Sequence, residues 1–404
     1  MLSPFQDTDA LRYASVFAAM ALLVCAPGPR GGGSGVGLLQ IPKQAGEDSI
    51  FFWRVLDSSW IAPAAEPVSN DDGQFAWGIS YRLEAVARYL TVVPGDSGAW
   101  ALLRRDALGA LAARDSLRGL IDYHGRSRMV WSATKYSEPA GVRAAWLVQN
   151  AMIVGGLGAA VDILRRGGPA DRALADSALK ACWSAMLAFD ADLHNDPQSH
   201  GMYYRFPTDI PLRAVEQGRE VPLNQQAAAG RAWQWLANLT GSSSAHGRAE
   251  GLGHFILTRM LVEDSSFVWH YELGSIMDDV SHGGVVAAFL MMLPPSYALD
   301  GLPVRRGLAG TMHRMFSMRG DTVVVADYVD GRVTREARFA GSFGTWAAVL
   351  PAACDLMIPM ERALWKPSTK LNSPGPLGAS LLLQAQDSCP GADRHLQALI
   401  SGGE

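Results

Sequence analysis

One short stretch of this 404-residue chain concentrates the residue types that suit acid and base chemistry. Thirteen consecutive positions include two histidines, a tyrosine and two aspartates, namely His270, Tyr271, Asp278, Asp279 and His282. Histidine and tyrosine exchange protons with bound substrates, and the flat indole of the preceding Trp269 suits the face of a sugar ring. We therefore predict an acid/base site, in which the two histidines and the tyrosine are catalytic while Trp269 and the two aspartates bind substrate. The structural alternative places Trp269 in the core and His282 at a helix start.

A second cluster of aromatic and cationic residues lies in the segment Met202 to Pro207, which reads MYYRFP. A tyrosine moves protons, and an arginine beside it clamps a carboxylate with paired hydrogen bonds. Tyr204 is accordingly predicted to be catalytic, and Arg205 is predicted to bind the substrate. In the structural alternative, the aromatic residues fasten a long loop to the rest of the fold.

Side-chain amides stand where helices are expected to begin. Asn224 and Gln225 follow Pro222, and Asn150 follows Trp146 by four positions. Because an amide both donates and accepts hydrogen bonds, Asn150, Asn224 and Gln225 are predicted to bind the substrate. The alternative is a capping role, since asparagine is among the residues preferred at helix amino termini.

The sequence patterns of metal and nucleotide sites are incomplete. Acidic residues alternate between Asp190 and Asp196 as at the start of a calcium loop, but Gly201 occupies the position that requires a bidentate glutamate. The glycine-rich segment Gly31 to Gly35 has neither a strand before it nor a lysine after it, and no serine lies in a GxSxG motif. We expect neither a metal ion nor a cofactor.

Repeated helical hairpins are predicted to position these groups. From Gln74 to Thr91, apolar residues recur every three or four positions, which is the period of a helix with one buried face. Breaks follow at Gly95, Gly168 and Gly241, 73 residues apart in both intervals, and helical patterns flank each break. The repeat predicts an all-α (α/α) toroid, and a ring of six hairpins is compatible with it. The loops that lead into the inner helices are expected to line a funnel.

Later segments extend the pattern less regularly. Further helices are predicted at Ser281 to Leu293, Leu308 to Met318, Gly344 to Leu364 and Gly375 to Ala385. In residues 321–340, valines alternate ahead of Asp330 and Gly331, which predicts one small β-hairpin. The chain is expected to be helical apart from this excursion.

Residues 1–37 are predicted to be a signal-like segment followed by a Gly/Pro-rich linker. Tyr13 to Ala26 is apolar but too short to span a bilayer. The protein is therefore expected to be exported, periplasmic or extracellular, with residues 38–404 forming a single toroid domain and with no stable membrane span in the mature chain. A membrane-anchored start and a mis-assigned start codon are the alternatives.

Charge and cysteine content argue against other classes of protein. The net charge of −4 comes without a basic stripe, so nucleic acid is not an expected partner. The cysteines match neither zinc-ligand pairs nor a CxxC motif, so no disulfide framework is expected. They are Cys25, Cys182, Cys354 and Cys389. The sequence does not specify an oligomeric state.

Several motifs in the second half of the chain resemble those of a known group of toroids. They are Pro222 to Gln226, Gly230-Arg231, Leu239 to Gly241, Trp269 to Tyr271 and Asp278 to Gly283. In this succession the chain resembles bacterial six-hairpin proteins similar to the carboxy-terminal domain of D-glucuronyl C5-epimerases, over about residues 74–364. The resemblance implies a toroid that acts on glycans, and related toroids include epimerases, polysaccharide lyases and glycoside hydrolases. Unlike those epimerases, this chain has no tyrosine after Tyr328.

Three functions fit these observations. The first is an exported enzyme that takes the C5 proton from a uronate in an acidic polysaccharide or oligosaccharide, as lyases and epimerases do. The second is an inverting glycoside hydrolase that pairs Asp278 or Asp279 with Asp72 or Glu216 at roughly 6.5–9.5 Å. The third is a glycan-binding or assembly protein without a proton-transfer pair.

Overall fold

The computed structural model describes residues 46–59, 69–272, 276–320, 322–334, 339–365 and 371–389. All of them belong to the compact unit Ile41–Glu404. The signal-like segment and linker predicted for residues 1–37, which include Cys25, lie outside the described residues.

Twelve helical segments of at least nine residues lie in the described part of the chain. The α-helices are α1 (Glu47–Ser58), α2 (Ser80–Val92), α3 (Ser97–Ala112), α4 (Leu147–Leu164), α5 (Pro169–Leu187), α6 (Leu223–Thr240), α7 (Ser243–Leu257), α8 (Val280–Leu290), α9 (Val304–Met315), α10 (Met357–Trp365) and α11 (Gly375–Ala385). The twelfth segment is a 3₁₀ helix, Ala340–Ala352, between α9 and α10. The predicted helix Gln74 to Thr91 is observed as a π-helical turn, Phe75–Ile79, followed by α2, and the predicted helix Gly375 to Ala385 coincides with α11.

Six of these segments form a closed inner ring. In the order α2, α4, α6, α8, the 3₁₀ helix and α11, each packs against the next, and α11 packs back against α2. The other six, α1, α3, α5, α7, α9 and α10, lie outside, and each packs against an inner segment. Inner and outer segments alternate along the chain, so the inner ones run in one direction. The predicted all-α toroid is confirmed, with six inner and six outer segments among the described residues.

The predicted hairpin turns lie where the glycines occur in the sequence. Gly95 separates α2 from α3, Gly168 immediately precedes α5, and Gly241 separates α6 from α7. Gly241 has a φ of +70°, a left-handed conformation that glycine adopts without the steric cost of a Cβ. The equal spacing of the three turns therefore reflects a structural repeat.

The inner position of α4 explains its apolar composition. By length and composition alone this described helix could cross a membrane, yet 94% of the stretch is buried inside the protein. At Gly156 an added Cβ would lie 2.4 Å from the backbone oxygen of Ser80, so glycine is required for α2 to approach this closely. Apolar side chains on all faces of α4 are covered by neighbouring helices.

Five two-stranded antiparallel hairpins occur among the described residues, so the prediction of a single hairpin is wrong. Their strands are β1 (Ser132–Ala133), β2 (Ala144–Ala145), β3 (Leu193–Asn195), β4 (Met202–Tyr204), β5 (Met260–Glu263), β6 (Ser266–Trp269), β7 (Ala298–Leu299), β8 (Leu302–Pro303), β9 (Phe316–Arg319) and β10 (Thr322–Val325). All except β7–β8 connect an outer helix to the next inner segment. The alternating valines do form β10, but its partner β9 precedes it in sequence, so the hairpin does not turn at Asp330-Gly331.

The helix predicted at Gly344 to Leu364 is divided in two. The 3₁₀ helix ends at Ala352, and Ala353 leaves helical geometry with φ −139° and ψ 55° before α10 begins. Pro351 lies in the last turn of the 3₁₀ helix and lacks the backbone N–H that an α-helical hydrogen bond would need.

Cys354 and Cys389 form a disulfide bond, so the expectation of no disulfide is wrong. The two residues are 35 positions apart, but the fold brings their Cα atoms to 5.3 Å. The expectation rested on local spacing, whereas the bond joins the end of the 3₁₀ helix to the segment after α11. Cys182 is a buried free thiol.

Candidate active site

A cavity of about 890 Å³ opens at the amino ends of the inner segments. Every inner segment contributes to its wall through its first turns or the residues just before it. These contributions come from Trp77 and Tyr81, Gln149, Asn224 and Gln225, Ser281 and His282, Ser342, and Asn372. The volume lies within the range of about 300–1,000 Å³ that is typical of ligand pockets.

The cavity wall combines aromatic rings with polar groups. Trp77, Tyr136, Trp146 and Phe206 line it, and amide and charged side chains lie between them. Trp77 belongs to a π-helical turn, Phe75–Ile79, a geometry often found at functional sites. A sugar has apolar ring faces and a rim of hydroxyl groups, so a wall of this kind matches both of its surfaces.

Besides His282 Nδ1, three polar atoms in the wall are buried without a hydrogen-bond partner among the described residues. They are Asn224 Oδ1, Gln149 Nε2 and Trp146 Nε1. The other end of the Gln149 amide is fixed, because its Oε1 accepts from Asn70 Nδ2 at 2.9 Å. Buried polar groups are costly when unpaired. The hydrogen-bonding capacity of one acceptor and two donors is therefore unused within the described residues.

Asp279 holds His282 at the amino end of α8. One carboxylate oxygen, Oδ1, accepts from the backbone N–H groups of Ser281 and His282 at 2.8 and 3.0 Å and so caps the helix. The other oxygen, Oδ2, lies 2.7 Å from His282 Nδ1. Because Nδ1 faces the carboxylate, Nε2 is the ring nitrogen that remains for proton exchange.

The protonation of His282 reflects two opposing influences. Burial disfavours its charged form, but the hydrogen bond and charge of Asp279, together with the charge of Asp278, outweigh burial and raise the pKa of His282. The imidazole is therefore a stronger base than an ordinary histidine.

Tyr271 extends this pair along the cavity wall. Its ring centroid lies 4.9 Å from that of His282, and its hydroxyl is hydrogen-bonded to the side chain of Gln225. Burial raises the pKa of Tyr271, so the hydroxyl keeps its proton at neutral pH. Gln225, Tyr271, His282 and Asp279 thus form one continuous polar arrangement.

Asp278 and Trp269 lie behind this arrangement and not in the wall. Both side chains are fully buried, and the Trp269 indole N–H donates to Asp278 Oδ2 at 2.7 Å. Burial raises the pKa of Asp278 to about 7. The predicted substrate contacts of these two residues are corrected, since neither has exposed surface. Asp279, also predicted to bind substrate, supports His282 instead.

Two further predicted residues have structural roles. Tyr204 is fully buried, and its hydroxyl accepts from Trp233 Nε1 at 2.9 Å, which corrects its predicted catalytic role. Asn150 is also fully buried, and its amide holds the backbone of Trp131 through both its oxygen and its nitrogen. A side chain without exposed surface cannot contact a substrate.

The remaining predicted residues divide between the cavity and its surroundings. Asn224 and Gln225 line the cavity together with Tyr271 and His282. His270 is half-buried, forms a β-bridge with Met277 and does not line the cavity. Arg205 lies in an adjoining groove.

Tyr81 and Gln149 are among the wall residues that sequence reasoning missed. Gln149 immediately precedes Asn150 at the start of α4. The start of this helix therefore indicated a polar wall residue, but the residue in the wall is Gln149 and not the predicted Asn150. Tyr81 lies in the first turn of α2 within a regular apolar pattern and gives no separate signal. Burial raises the pKa of Tyr81 to about 12, while Arg231 lowers it and Asp279 raises it.

The carboxylates proposed for a hydrolase are placed unfavourably. Asp72 is exposed and caps the local turn through the backbone N–H of Gln74 at 3.0 Å. Glu216 does line the cavity, but it pairs with Arg213 at 2.8 Å. Asp278 is buried, Asp279 caps α8, and neither residue lines the cavity.

Asp278, Asp279 and His282 place three possible metal-ligand atoms within 4.8 Å of one another. The atoms that could bind a metal ion are already engaged within the protein. Asp278 Oδ2 accepts a hydrogen bond from Trp269, and Asp279 Oδ2 contacts His282 directly at 2.7 Å. At this separation the carboxylate and the imidazole form an ion pair when His282 is protonated. The geometry is that of a carboxylate held against an imidazole.

No protein-family model and no curated protein matches this chain. Among solved structures, the chain is similar to a family 76 glycoside hydrolase, a mannosidase, from Bacteroides thetaiotaomicron VPI-5482. The likeness has a TM-score of 0.37 and 11% sequence identity, and it covers 86% of this chain and 98% of that chain. A likeness this distant carries no argument about the reaction, and the toroid rests on the contacts between its own helices.

Proposed function

We propose that this protein is a carbohydrate-active enzyme that removes the C5 proton of a uronate residue in an acidic glycan, as lyases and epimerases do. The observation that carries the proposal is the contact of Asp279 with His282, beside Tyr271, in the wall of a sugar-sized cavity. Positioned proton-transfer groups of this kind contribute about 10²–10⁴-fold each to a rate.

His282 is the proposed base. Nδ1 carries its proton on the side of the Asp279 carboxylate. Nε2 therefore has the lone pair that takes the proton from C5. The same carboxylate stabilises the imidazolium that results. Asp279 acts through His282 and is therefore a positioning residue.

Tyr271 and Tyr81 are the proposed proton donors. A lyase must protonate the departing glycosidic oxygen, and an epimerase must return a proton to the opposite face of C5. Tyr271 lies beside His282, whereas Tyr81 belongs to α2, three places away from α8 in the ring of six inner segments. Tyrosines on two sides of the cavity would serve either reaction.

The amides would bind the uronate carboxylate. Charge moves from C5 onto that carboxylate as the proton leaves, so groups that donate hydrogen bonds there lower the barrier. Gln149 and Gln225 line the cavity in which this must occur, and their amide nitrogens are hydrogen-bond donors.

The proposal is tested by incubating the protein with a panel of uronate polymers in deuterated buffer. We expect deuterium at C5, measured by NMR, or an unsaturated product, measured by ultraviolet absorbance. His282→Ala should lower the rate by about 10²–10⁴-fold. His246→Ala, at an exposed position on α7, is the matched control and should retain the rate. Absence of both products across the panel would overturn the proposal.

An inverting glycoside hydrolase is the second candidate, because Glu216, Glu220 and Glu272 also line the cavity. NMR of the newly formed anomeric centre separates the two reactions, since hydrolysis gives a saturated sugar of inverted configuration. Glycan binding without either product would favour a non-catalytic role.

Export is proposed together with this function. The disulfide between Cys354 and Cys389 fits an oxidising compartment, because such bonds persist in secreted and periplasmic proteins. An extracellular or periplasmic polysaccharide would be available there.

A further inference from the structure

A second depression of about 480 Å³ adjoins the main cavity, and we call it the arginine groove. Arg205, Arg219 and Arg259 line it, together with Tyr203, Glu220 and Asp196. Arg219 and Glu220 line the main cavity as well, so the two spaces are neighbours that share part of their wall. A glycan chain bound in the main cavity would therefore reach the groove with a neighbouring sugar.

Stacked aromatic rings hold two of the arginines in place. The Arg205 guanidinium lies 5.2 Å from the centroid of the Tyr203 ring, which stacks on Phe255 at 4.9 Å. The Arg259 guanidinium lies 4.6 Å from the centroid of the Phe255 ring. Because this stack fixes the two side chains before a ligand arrives, less conformational entropy is lost on binding.

The carboxylates of the groove do not neutralise its cations. Asp196 is engaged internally, since it accepts from the Ser199 hydroxyl at 2.7 Å and from the Gln198 N–H at 3.2 Å. Glu220 pairs with Arg259 Nη2 at 3.2 Å, and Arg259 Nε is buried without a partner among the described residues. Three guanidinium groups thus face two carboxylates, and the groove keeps an excess of positive charge.

We propose that the arginine groove is a second sugar-binding subsite that takes an anionic group, carboxylate or sulfate, of the sugar next to the one in the main cavity. Planar guanidinium groups bind both anions through paired hydrogen bonds. The subsite rests on the proposed function only because it takes the ligand to be an acidic glycan. It adds the expectation that a glycan spanning both spaces binds more tightly than one that fills the main cavity alone.

The test is calorimetric titration with oligouronides of one to six sugars, in a His282→Ala background to prevent turnover. We expect affinity to rise once the oligomer spans both spaces, and Arg205→Ala to reduce this gain by about tenfold or more. Arg306→Ala, at an exposed position on α9, is the control and should retain the gain. Carboxyl-reduced oligomers should show no gain, and their sulfated derivatives distinguish a sulfate from a carboxylate ligand.

Arg205→Lys provides a second variant, which retains the charge but not the planar fork, and it should retain part of the affinity. Circular dichroism establishes that each variant is folded. If folded Arg205→Ala binds long oligouronides as tightly as its parent, or if neutral oligomers show the same gain, the subsite proposal fails. If the parent protein binds long oligouronides without exchanging the C5 proton, the proposed reaction is refuted and the subsite proposal stands.

Discussion

The two oxygens of Asp279 perform different tasks, one capping α8 and the other holding His282. Asparagine keeps the capping oxygen but removes the negative charge. A single substitution at this residue therefore separates the structural task from the electrostatic one.

Asp279→Asn should shift the pH dependence of the reaction. The base form of His282 is the neutral imidazole, so the rate rises as the pH passes through its pKa, which the carboxylate holds above the ordinary value. Without that charge, the acidic limb of the rate profile should move to lower pH, and the maximal rate should fall by about 10²-fold.

The measurement is kcat against pH for both proteins. Asp355→Asn is the matched control, because Asp355 pairs with His313 at 2.7 Å on the outer helix α9 and touches no cavity residue. An acidic limb that stays in place in Asp279→Asn would exclude the proposed role of this carboxylate.

Asp278 should make the folded state less stable as the pH rises. Burial raises its pKa from 3.8 to about 7, so between those values the unfolded chain releases a proton that the folded chain keeps. The free energy of unfolding should fall over that interval by up to about 1.4 kcal/mol per pH unit from this group. Denaturant unfolding of Asp278→Asn at pH 4 to 7 should give a flatter dependence. Equal slopes for the parent and Asp278→Asn would contradict the argument.

At the residue scale, part of the site could be predicted from the sequence. Tyr271 and His282 stand out because proton-transfer residues cluster there, and Asn224 and Gln225 stand out because amides mark a helix start. Tyr204 shows what was missing. Residue type indicates the chemistry that a side chain can do, whereas exposure to the cavity depends on packing that the local sequence does not contain.

At the element scale, the glycines of α4 set the distance between inner helices. An added Cβ at Gly156 would meet the backbone oxygen of Ser80 at 2.4 Å, and backbone cannot move aside as a side chain can. Gly109 in the outer helix α3 has nothing within 4 Å of its own added Cβ.

Gly156→Ala should therefore destabilise the protein, by about 1–3 kcal/mol as for other overpacked cores. Gly109→Ala should leave stability unchanged or raise it by up to about 1 kcal/mol, because alanine is the better helix former. Thermal unfolding of the two variants checks this pair. Equal midpoints would show that α2 and α4 can separate without cost.

Long helices with regular turns were predictable, and short elements were not. Three equally spaced glycines indicated the first hairpins because each ends a strongly periodic segment. Strands of two to four residues, such as β3 and β4, contain too little alternation to be recognised. The 3₁₀ helix and α10 were merged because both are apolar, although Pro351 marks the division.

At the scale of the whole molecule, the disulfide fastens the last part of the ring. It closes a loop of 35 positions that contains α10 and α11, and neither cysteine lines the cavity. The double variant Cys354→Ser/Cys389→Ser should lose about 2–4 kcal/mol of stability, because its unfolded chain is less constrained.

Chemical denaturation with and without reductant measures this effect. Reductant should lower the unfolding midpoint of the parent but leave that of the double variant unchanged, since the remaining described cysteine, Cys182, is a buried thiol. The folded double variant should keep its activity. A parent midpoint that does not respond to complete reduction would show that the bond adds no stability.

The closure of the inner ring by α11 has a consequence for how the chain is made. Arg88 in α2 donates a hydrogen bond to Gln384 in α11 across 296 positions. At the usual 5–20 residues per second, a ribosome needs about 15–60 s to synthesise the chain between them. During that time the face of α2 that α11 later covers has no partner, so the nascent toroid remains an open arc. Chaperone binding, or passage through a translocation channel, would have to take place in that interval.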